Sequence, residues 1–363
     1  MLTHNTISAV KDVPISTIIG ATVQLKKAGS NLQGCCPFHS EKTPSFVVSD
    51  TKGIYKCFGC GRSGDGIKFI MENENKDFLQ AVETIANNAG IAIEYENDFD
   101  TAEYQAKKEA RKSMGEVLNL VIEKYKANLL ALPDQDPVRL YLANRGISHD
   151  TIIEWQLGWA PADWRFITPE LISTGHHDHA AAMGIIKRGQ SDDNNYDGYR
   201  SRIIIPISNA YGQNIGMGGR YVQVDDGDAG KGYPKYINPT ENELYSKSGV
   251  LFGLDRAAGA IKSAGFAWLT EGYFDTIAMH TYGDTNTVAT CGTALTLQQV
   301  TLLKKYTSHV VLLRDNDEAG LKASERDIPL LIRTGFKVEI GSLPEGFKDP
   351  DELIQSLAAR EAA

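Results

Sequence analysis

Residues 311–320 read VLLRDNDEAG. An apolar run ends at Arg314, and Asp315 and Asp317 follow with only Asn316 between them. Two carboxylates at that spacing repel each other, and removal from water makes the repulsion worse. Either solvent or a cation must neutralise them. The run before them has the length of a buried strand, and EAGLKASERDIPLLIRTG after them has helical spacing. The same rhythm surrounds this stretch. FAWLT (266–270), NTVATCG (286–292), HVVLLRD (309–315) and FKVEIGSLP (336–344) read as strands, and TLQQVTLLKKY reads as a helix. In that helix Thr296 and Gln299 fit a capping box, and Lys304 and Lys305 sit where the helix dipole favours cations. The alternation predicts an α/β fold, a mostly parallel sheet covered by helices.

Open sheets of this kind place ligands beyond the carboxyl ends of their strands. Glu271 follows FAWLT, with Asp275 one helical turn further on, and Asp349 and Asp351 in KDPDE follow the last strand. On an extended chain Asp315 and Asp317 are expected to share a face. Such a set of carboxylates suits a hard divalent cation, Mg²⁺ or Mn²⁺, which binds substrate phosphates and often works as a pair. Taken alone, Asp349 and Asp351 fit a helix cap or a solvated surface as well. The expectation rests on the whole set.

Of the five cysteines, Cys35, Cys36, Cys57 and Cys60 are clustered, and Cys291 stands apart. The spacing Cys36-x2-His39 followed by Cys57-x2-Cys60 gives two short knuckles that bring four ligands onto one tetrahedral Zn²⁺. With all four positions taken by protein, that site is expected to be structural. Cys35 is the competing ligand, and the two-residue spacing to His39 favours Cys36. Around the knuckles lie Lys42, Lys52, Lys56, Arg62 and Lys68, with Phe38, Phe46, Tyr55 and Phe58. Cations mixed with aromatics suit single-stranded nucleic acid. Packing of a small core is the other use for those rings, and for Phe46 and Phe58 both readings stay open.

Between these regions the hairpin-like RSRIIIPISNAYGQNIGMGGRY (200–221) belongs to a basic strip: Arg145, Arg200, Arg202, Arg220, Lys235 and Lys247. Arg200 and Arg202 are two apart at a strand start, and Gly216, Gly218 and Gly219 leave room for a phosphate backbone. Upstream, DFLQAVETIANNAGI places Phe78, Leu79, Val82, Ile85 and Ala86 on one helical face. A helix over about 102–131 carries Met114, Val117, Leu118, Val121 and Tyr125, and Ser148 caps another. DDGDAGKG (225–232) reads as a mobile loop. The net charge of −9 argues against nonspecific binding to polyanions over the whole surface, so nucleic acid would have to be met by local patches. The sequence holds no apolar run of about 18 residues or more and no basic-then-apolar leader at MLTHNTISAVKDVP, so a cytoplasmic protein with no membrane span is expected.

On these residues the chain resembles the bacterial DnaG-type DNA primases. VPISTIIGATVQLKKAGSNLQGCCPFHSEKTPSFVV…YKCFGCGRSGDGIKFIM is similar to their zinc-binding domain. RSRIIIPI…GMGGR…PKYINP…LFGL is similar to the first half of their RNA polymerase domain, and TEGYFDTIAMH, CGTALT, RDNDEAG and KDPDEL to its TOPRIM fold. Segments 101–135 and 160–195 carry the resemblance least. It implies a zinc ribbon over 1–100, a linker at 101–112, a mixed α+β basic subdomain over 113–255, a TOPRIM subdomain over 256–350 and a helical tail over 351–363. It further implies RNA primer synthesis on single-stranded DNA from ribonucleoside triphosphates. Glu271, Asp315 and Asp317 would hold Mg²⁺ or Mn²⁺, two ions or more, supported by Asp275, Asp349 and Asp351. The six basic residues would hold nucleotide or template.

The family's Asp-Gly-Asp is Asp-Asn-Asp here, and Asn tolerates a left-handed backbone better than most residues. Family members also continue with a helical segment and a helicase-binding domain. The chain therefore reads as a fragment or as a shortened phage- or plasmid-type primase, acting as a monomer, with a replicative helicase as an open partner. Two rivals stand beside this reading. A TOPRIM nuclease would keep the acids but not need the 200–250 basic region, and a TOPRIM topoisomerase would need a nucleophilic tyrosine in a separate strand-passage domain, for which little chain remains. A noncatalytic single-strand-binding protein would not need the acids.

Overall fold

A computed structural model describes residues 1–39, 41–74, 76–96, 100–189, 194–224, 232–292 and 294–361. The chain divides into two compact units, Met1–Gln105 and Ala106–Ala363.

The first unit opens with α1 (His4–Lys11) and α2 (Ile15–Gly20). An antiparallel sheet of sequential hairpins follows: β1 (Lys26–Ala28), β2 (Asn31–Gly34), β3 (Phe46–Ser49), β4 (Ile54–Cys57) and β5 (Ser63–Gly64). Two helices, α3 (Gly66–Asn73) and α4 (Phe78–Ala89), close it. The two-residue period of a strand sorts β4 cleanly: Tyr55 and Cys57 are buried, Ile54 and Lys56 exposed. Phe46 and Tyr55 stack at 5.1 Å in the core, with Phe69 edge-on to Tyr55. On α4 the buried stripe is Ala81, Val82, Ile85 and Ala86. Phe78, expected on that stripe, is the first residue of the helix and is exposed.

The long helix α5 runs Thr101–Ala131, so residues 101–112, expected as the linker, are helical. Its Met114, Val117, Leu118, Val121 and Tyr125 are buried. Next come α6 (Pro137–Ala143), α7 (His149–Glu154), β6 (Gly158–Ala160), α8 (Thr168–Ser173), α9 (His177–Ala182), β7 (Ile186–Lys187) and β8 (Tyr196–Asp197). Ser148 caps α7 as expected. The expected hairpin is β9 (Arg202–Ser208) and β10 (Asn214–Tyr221), extended by β11 (Tyr236–Ile237) into an antiparallel sheet ordered β11-β10-β9-β6. Residues 225–231, most of the expected mobile loop, lie outside the described residues.

The last part is α10 (Leu254–Ala264), β12 (Ala267–Thr270), α11 (Tyr273–Tyr282), β13 (Thr287–Ala289), α12 (Leu297–Lys304), β14 (His309–Leu313), α13 (Glu318–Arg333), β15 (Lys337–Gly341) and α14 (Pro350–Glu361). Its strands form one parallel sheet in the order β13-β12-β14-β15. Leu269, Val288, Val310 and Leu312 fill its core. The strands are shorter than the apolar runs suggested, and β14 ends two residues before Asp315. No helix among the described residues is long and apolar enough to cross a membrane.

Candidate active site and metal centres

In the first unit the β2–β3 loop supplies Cys36 and His39, and the end of β4 supplies Cys57 and Cys60. Their ligand atoms all lie within 4.8 Å of one another. Two thiolates about 2.3 Å from one zinc at the tetrahedral angle stand about 3.8 Å apart. Cys36 Sγ and Cys60 Sγ are 3.8 Å apart, and Cys57 Sγ is 3.9 Å from His39 Nδ1. Cys35 is exposed and outside the cluster. Burial pushes the Cys36 thiol up. Burial also opposes ionisation of Cys57, but the Ser45 hydroxyl and the Cys60 amide bring that thiol below its ordinary value. The four residues fit Zn²⁺.

Sequence reasoning missed Glu41, which braces this site. It pairs with His39 Nε2 at 3.1 Å, leaving Nδ1 as the ligand atom. It also accepts from Cys36 N at 2.7 Å, Ser45 N at 3.2 Å and Ser45 Oγ at 2.5 Å. Gly59 is required by space, since a Cβ there would come within 2.7 Å of His39 Nε2. Gly61 takes the left-handed turn. The two open aromatic readings separate: Phe46 is 0% exposed, whereas Phe58 is 69% exposed with Lys56 Nζ 5.2 Å from its ring.

In the second unit the parallel sheet brings the acids together. Glu271, Asp275, Asp315, Asp349 and Asp351 line one cleft of about 200 Å³, with Arg145 and Lys235. Glu271 leaves the end of β12 and Asp275 lies in the first turn of α11, where it accepts from Gly272 N at 3.0 Å. Burial, then Asp315, Asp349 and Asp351, push the Asp275 carboxyl up to about 8. Burial, then Glu271, push Asp315 up to about 6, against the pull of Lys348. Among the described residues, Glu271 Oε1 and Asp351 Oδ1 are buried with no hydrogen-bond partner. Crowded carboxylates with orphaned oxygens are the donor set of a hard divalent cation, so the residues fit Mg²⁺ or Mn²⁺.

Asp317 departs from the same-face expectation. With β14 finished at Leu313, residues 315–317 are not strand, and Asp317 caps α13 by accepting from Gly320 N at 3.0 Å. It is exposed but near enough for its charge to raise Asp315. Asn316 needs no left-handed backbone. Its amide donates to Lys348 O at 2.7 Å, which anchors the loop that carries Asp349.

The basic residues divide. Arg145 is paired with Asp351 and packs over Tyr141 and Phe274, so its charge is already engaged. Lys235 reaches the cleft, and burial followed by Arg220 lowers its pKa. Arg220 donates to Tyr141 Oη at 3.1 Å and lies over Tyr236. Lys247 is half-buried in the turn before α10. Arg202 is 3% exposed and donates to the carbonyls of Gly219 and Pro234. Arg200 does not share its face. Ser201 between them has a left-handed φ of 51°, and Arg200 stacks 3.9 Å over Trp164. Trp164, 60% exposed and edge-on to Tyr196, is a second surface that the sequence did not reveal. The glycines of β10 leave space for side chains rather than for phosphate: a Cβ on Gly218 would meet Tyr273 at 2.8 Å, and one on Gly219 would meet Tyr199 at 2.8 Å.

A Cys/His metal knuckle in the first unit and a parallel sheet with acids clustered at its strand ends in the second place the chain in a class with two metal-binding centres, one on each unit. Three family models match in series: CHC2 zinc finger over 2–101, DNA primase catalytic core, N-terminal domain over 125–258, and Toprim-like over 268–354. The crystal structure of the Aquifex aeolicus primase zinc-binding and RNA polymerase domains is 34% identical, with a TM-score of 0.59 over 98% of this chain and 83% of that one. A DnaG primase catalytic domain bound to single-stranded DNA is 28% identical, with a TM-score of 0.59 over 70% and 78%. The DNA primase of Myxococcus xanthus is 38% identical over 97% of this chain and 56% of its own length, and that of Clostridium acetobutylicum 37% over 98% and 57%. The chain belongs to the DnaG-type primase family. It spans little more than half the length of those two relatives.

Proposed function

We propose that this chain synthesises short RNA primers on single-stranded DNA. The observation that carries the reading is the convergence of Glu271, Asp315, Asp275, Asp349 and Asp351 in one cleft that also receives Lys235. Glu271, Asp315 and Asp317 would hold Mg²⁺ or Mn²⁺, two ions or more. When bound, the metal supplies neutralisation of the charge that develops on the phosphoryl oxygens. Asp275, Asp349 and Asp351 surround these ligands and keep the cleft acidic. Arg145 fixes Asp351 and leaves Lys235 and Arg220 facing the triphosphate of an incoming ribonucleotide. Lys247 supports nucleotide at the rim. Arg202 holds the hairpin that displays Arg200, and Arg200 with Trp164 offers a stacking surface to template bases. The zinc ribbon engages template through Phe58 and Lys56. The Myxococcus xanthus and Clostridium acetobutylicum relatives are DNA primases, and one similar solved structure is a DnaG catalytic domain bound to single-stranded DNA.

The test is synthesis of labelled RNA from four ribonucleotides, Mg²⁺ and single-stranded DNA of varied sequence, comparing wild type with Glu271→Gln and Asp315→Asn. Short RNA from the wild type and a loss of about a thousandfold, or about 4 kcal/mol in barrier, in each variant is expected. Equal RNA from all three would remove these acids from the reaction. Strand cleavage in place of synthesis would mark a nuclease.

A further inference from the structure

Arg314 is a charged residue at the end of an otherwise apolar strand sequence. Its side chain is 6% exposed and that of its partner Asp327 is 2% exposed. Nη2 donates to Asp327 Oδ2 at 2.6 Å, and Nη1 donates to the carbonyl of Thr270 at 3.2 Å. Arg326 Nε holds the other Asp327 oxygen at 2.9 Å. The positions of these atoms in the chain are informative. Arg314 immediately precedes Asp315, and Thr270 immediately precedes Glu271. Asp327 sits in α13, whose cap is Asp317. One guanidinium therefore joins the three backbone segments from which Glu271, Asp315 and Asp317 emerge.

A buried ion pair is a weak device for stability, because apolar residues of similar volume often serve as well or better. A planar guanidinium is instead a directional one, with two donors at fixed angles that lysine cannot copy. Glu271 and Asp315 are close enough for their charges to act on this guanidinium.

We propose that the Arg314–Asp327 pair is a positioning device for the acid cleft. It sets the spacing of Glu271, Asp315 and Asp317, and through that spacing the preference for a small octahedral cation. The proposal rests on the reading of these acids as cation ligands. Mg²⁺ demands near-ideal geometry, whereas Ca²⁺ accepts irregular and larger shells. A loosened cleft thus loses Mg²⁺ before Ca²⁺, a ratio that a merely structural role would not move.

The test is calorimetric titration of the full chain with MgCl₂ and with CaCl₂, alongside thermal unfolding. Arg314→Met combined with Asp327→Leu replaces the pair by apolar volume. Its unfolding temperature is expected to equal or exceed that of the wild type, with Mg²⁺ binding weakened by about tenfold or more and Ca²⁺ binding much less. Arg314→Lys, which keeps the charge and loses the fork, falls between. Wild-type affinities for both ions in the folded double variant would overturn the proposal. Should that variant not fold, an unchanged Mg²⁺-to-Ca²⁺ ratio in Arg314→Lys would overturn it. Glu271→Gln separates this failure from that of the underlying reading. Cation binding that Glu271→Gln leaves intact, or none by the wild type, removes both. Binding that Glu271→Gln abolishes but the Arg314 variants leave unchanged removes the positioning role alone.

Discussion

In the first unit Glu41 gathers His39 Nε2, the Cys36 amide and both donors of Ser45, so the ligands of the zinc site are braced by hydrogen bonds of the protein. In the second unit the acid cleft leaves Glu271 Oε1 and Asp351 Oδ1 buried without a partner, and burial and neighbouring carboxylates push Asp275 up to about 8. The contrast separates two kinds of donor set. A structural ion completes a small core and needs a closed, saturated shell. A working ion must share its coordination sphere with substrate, so its ligands are held apart and under mutual repulsion until it arrives.

The largest effect should come from stripping the zinc. Structural zinc sites are worth about 10–16 kcal/mol near neutral pH. Chelation, or Cys57→Ala, should therefore unfold the first unit, read as loss of amide-exchange protection across β3 and β4. Full protection with zinc demonstrably gone would place this site in the same open class as the acid cleft. Next in size is a pair of aromatic truncations within the first unit. Phe46→Ala removes a fully buried ring and should cost about 3–5 kcal/mol of stability. Phe58→Ala should leave unfolding unchanged and weaken single-stranded DNA binding by about 1–3 kcal/mol. A stability loss in Phe58→Ala with DNA affinity intact would return that ring to the core.

The smallest effect is a pH dependence of the second unit. A carboxyl whose folded-state pKa is raised contributes stability that is present below its unfolded value and is lost as pH rises through the folded one. For Asp315 and Asp275 that loss runs from about pH 4 through about 6 and about 8. A divalent ion replaces those protons, so the rise in melting temperature caused by saturating Mg²⁺ should grow from pH 5.5 to pH 8. A rise that is flat across that range would mean that the ion binds elsewhere.

The zinc ligands were legible because knuckle spacing is local and the chemistry admits few residue types. The parallel sheet was legible for the same reason, each strand carrying its own apolar run. What the sequence hid depends on contacts between distant segments. Glu41 is ordinary until the fold sets it against His39 and Ser45. Trp164 and Arg200 meet where Asp197 in β8 holds the end of the loop after β6, its carboxylate accepting from the backbone amides of Ile167 and Thr168. The same-face argument failed twice. For Asp315 and Asp317 the strand had already ended, and for Arg200 and Arg202 a left-handed Ser201 intervenes. Apolar runs report where a strand can lie, and backbone reversals at its ends decide where the next side chains point.

Asp317 serves two structures at once, since the carboxylate expected to face a cation also closes the first turn of α13 on the Gly320 amide. Gly320 has no room for a side chain, because a Cβ there would fall 2.1 Å from the Asp315 carbonyl oxygen. Gly320 therefore packs against the Asp315 backbone while its amide donates to the Asp317 carboxylate, next to two of the three proposed ligand residues. An ion drawing on Asp317 changes the electron density its oxygens offer to the Gly320 proton. In a nuclear magnetic resonance spectrum this one resonance becomes an internal gauge of loading, readable with no template, no nucleotide and no turnover.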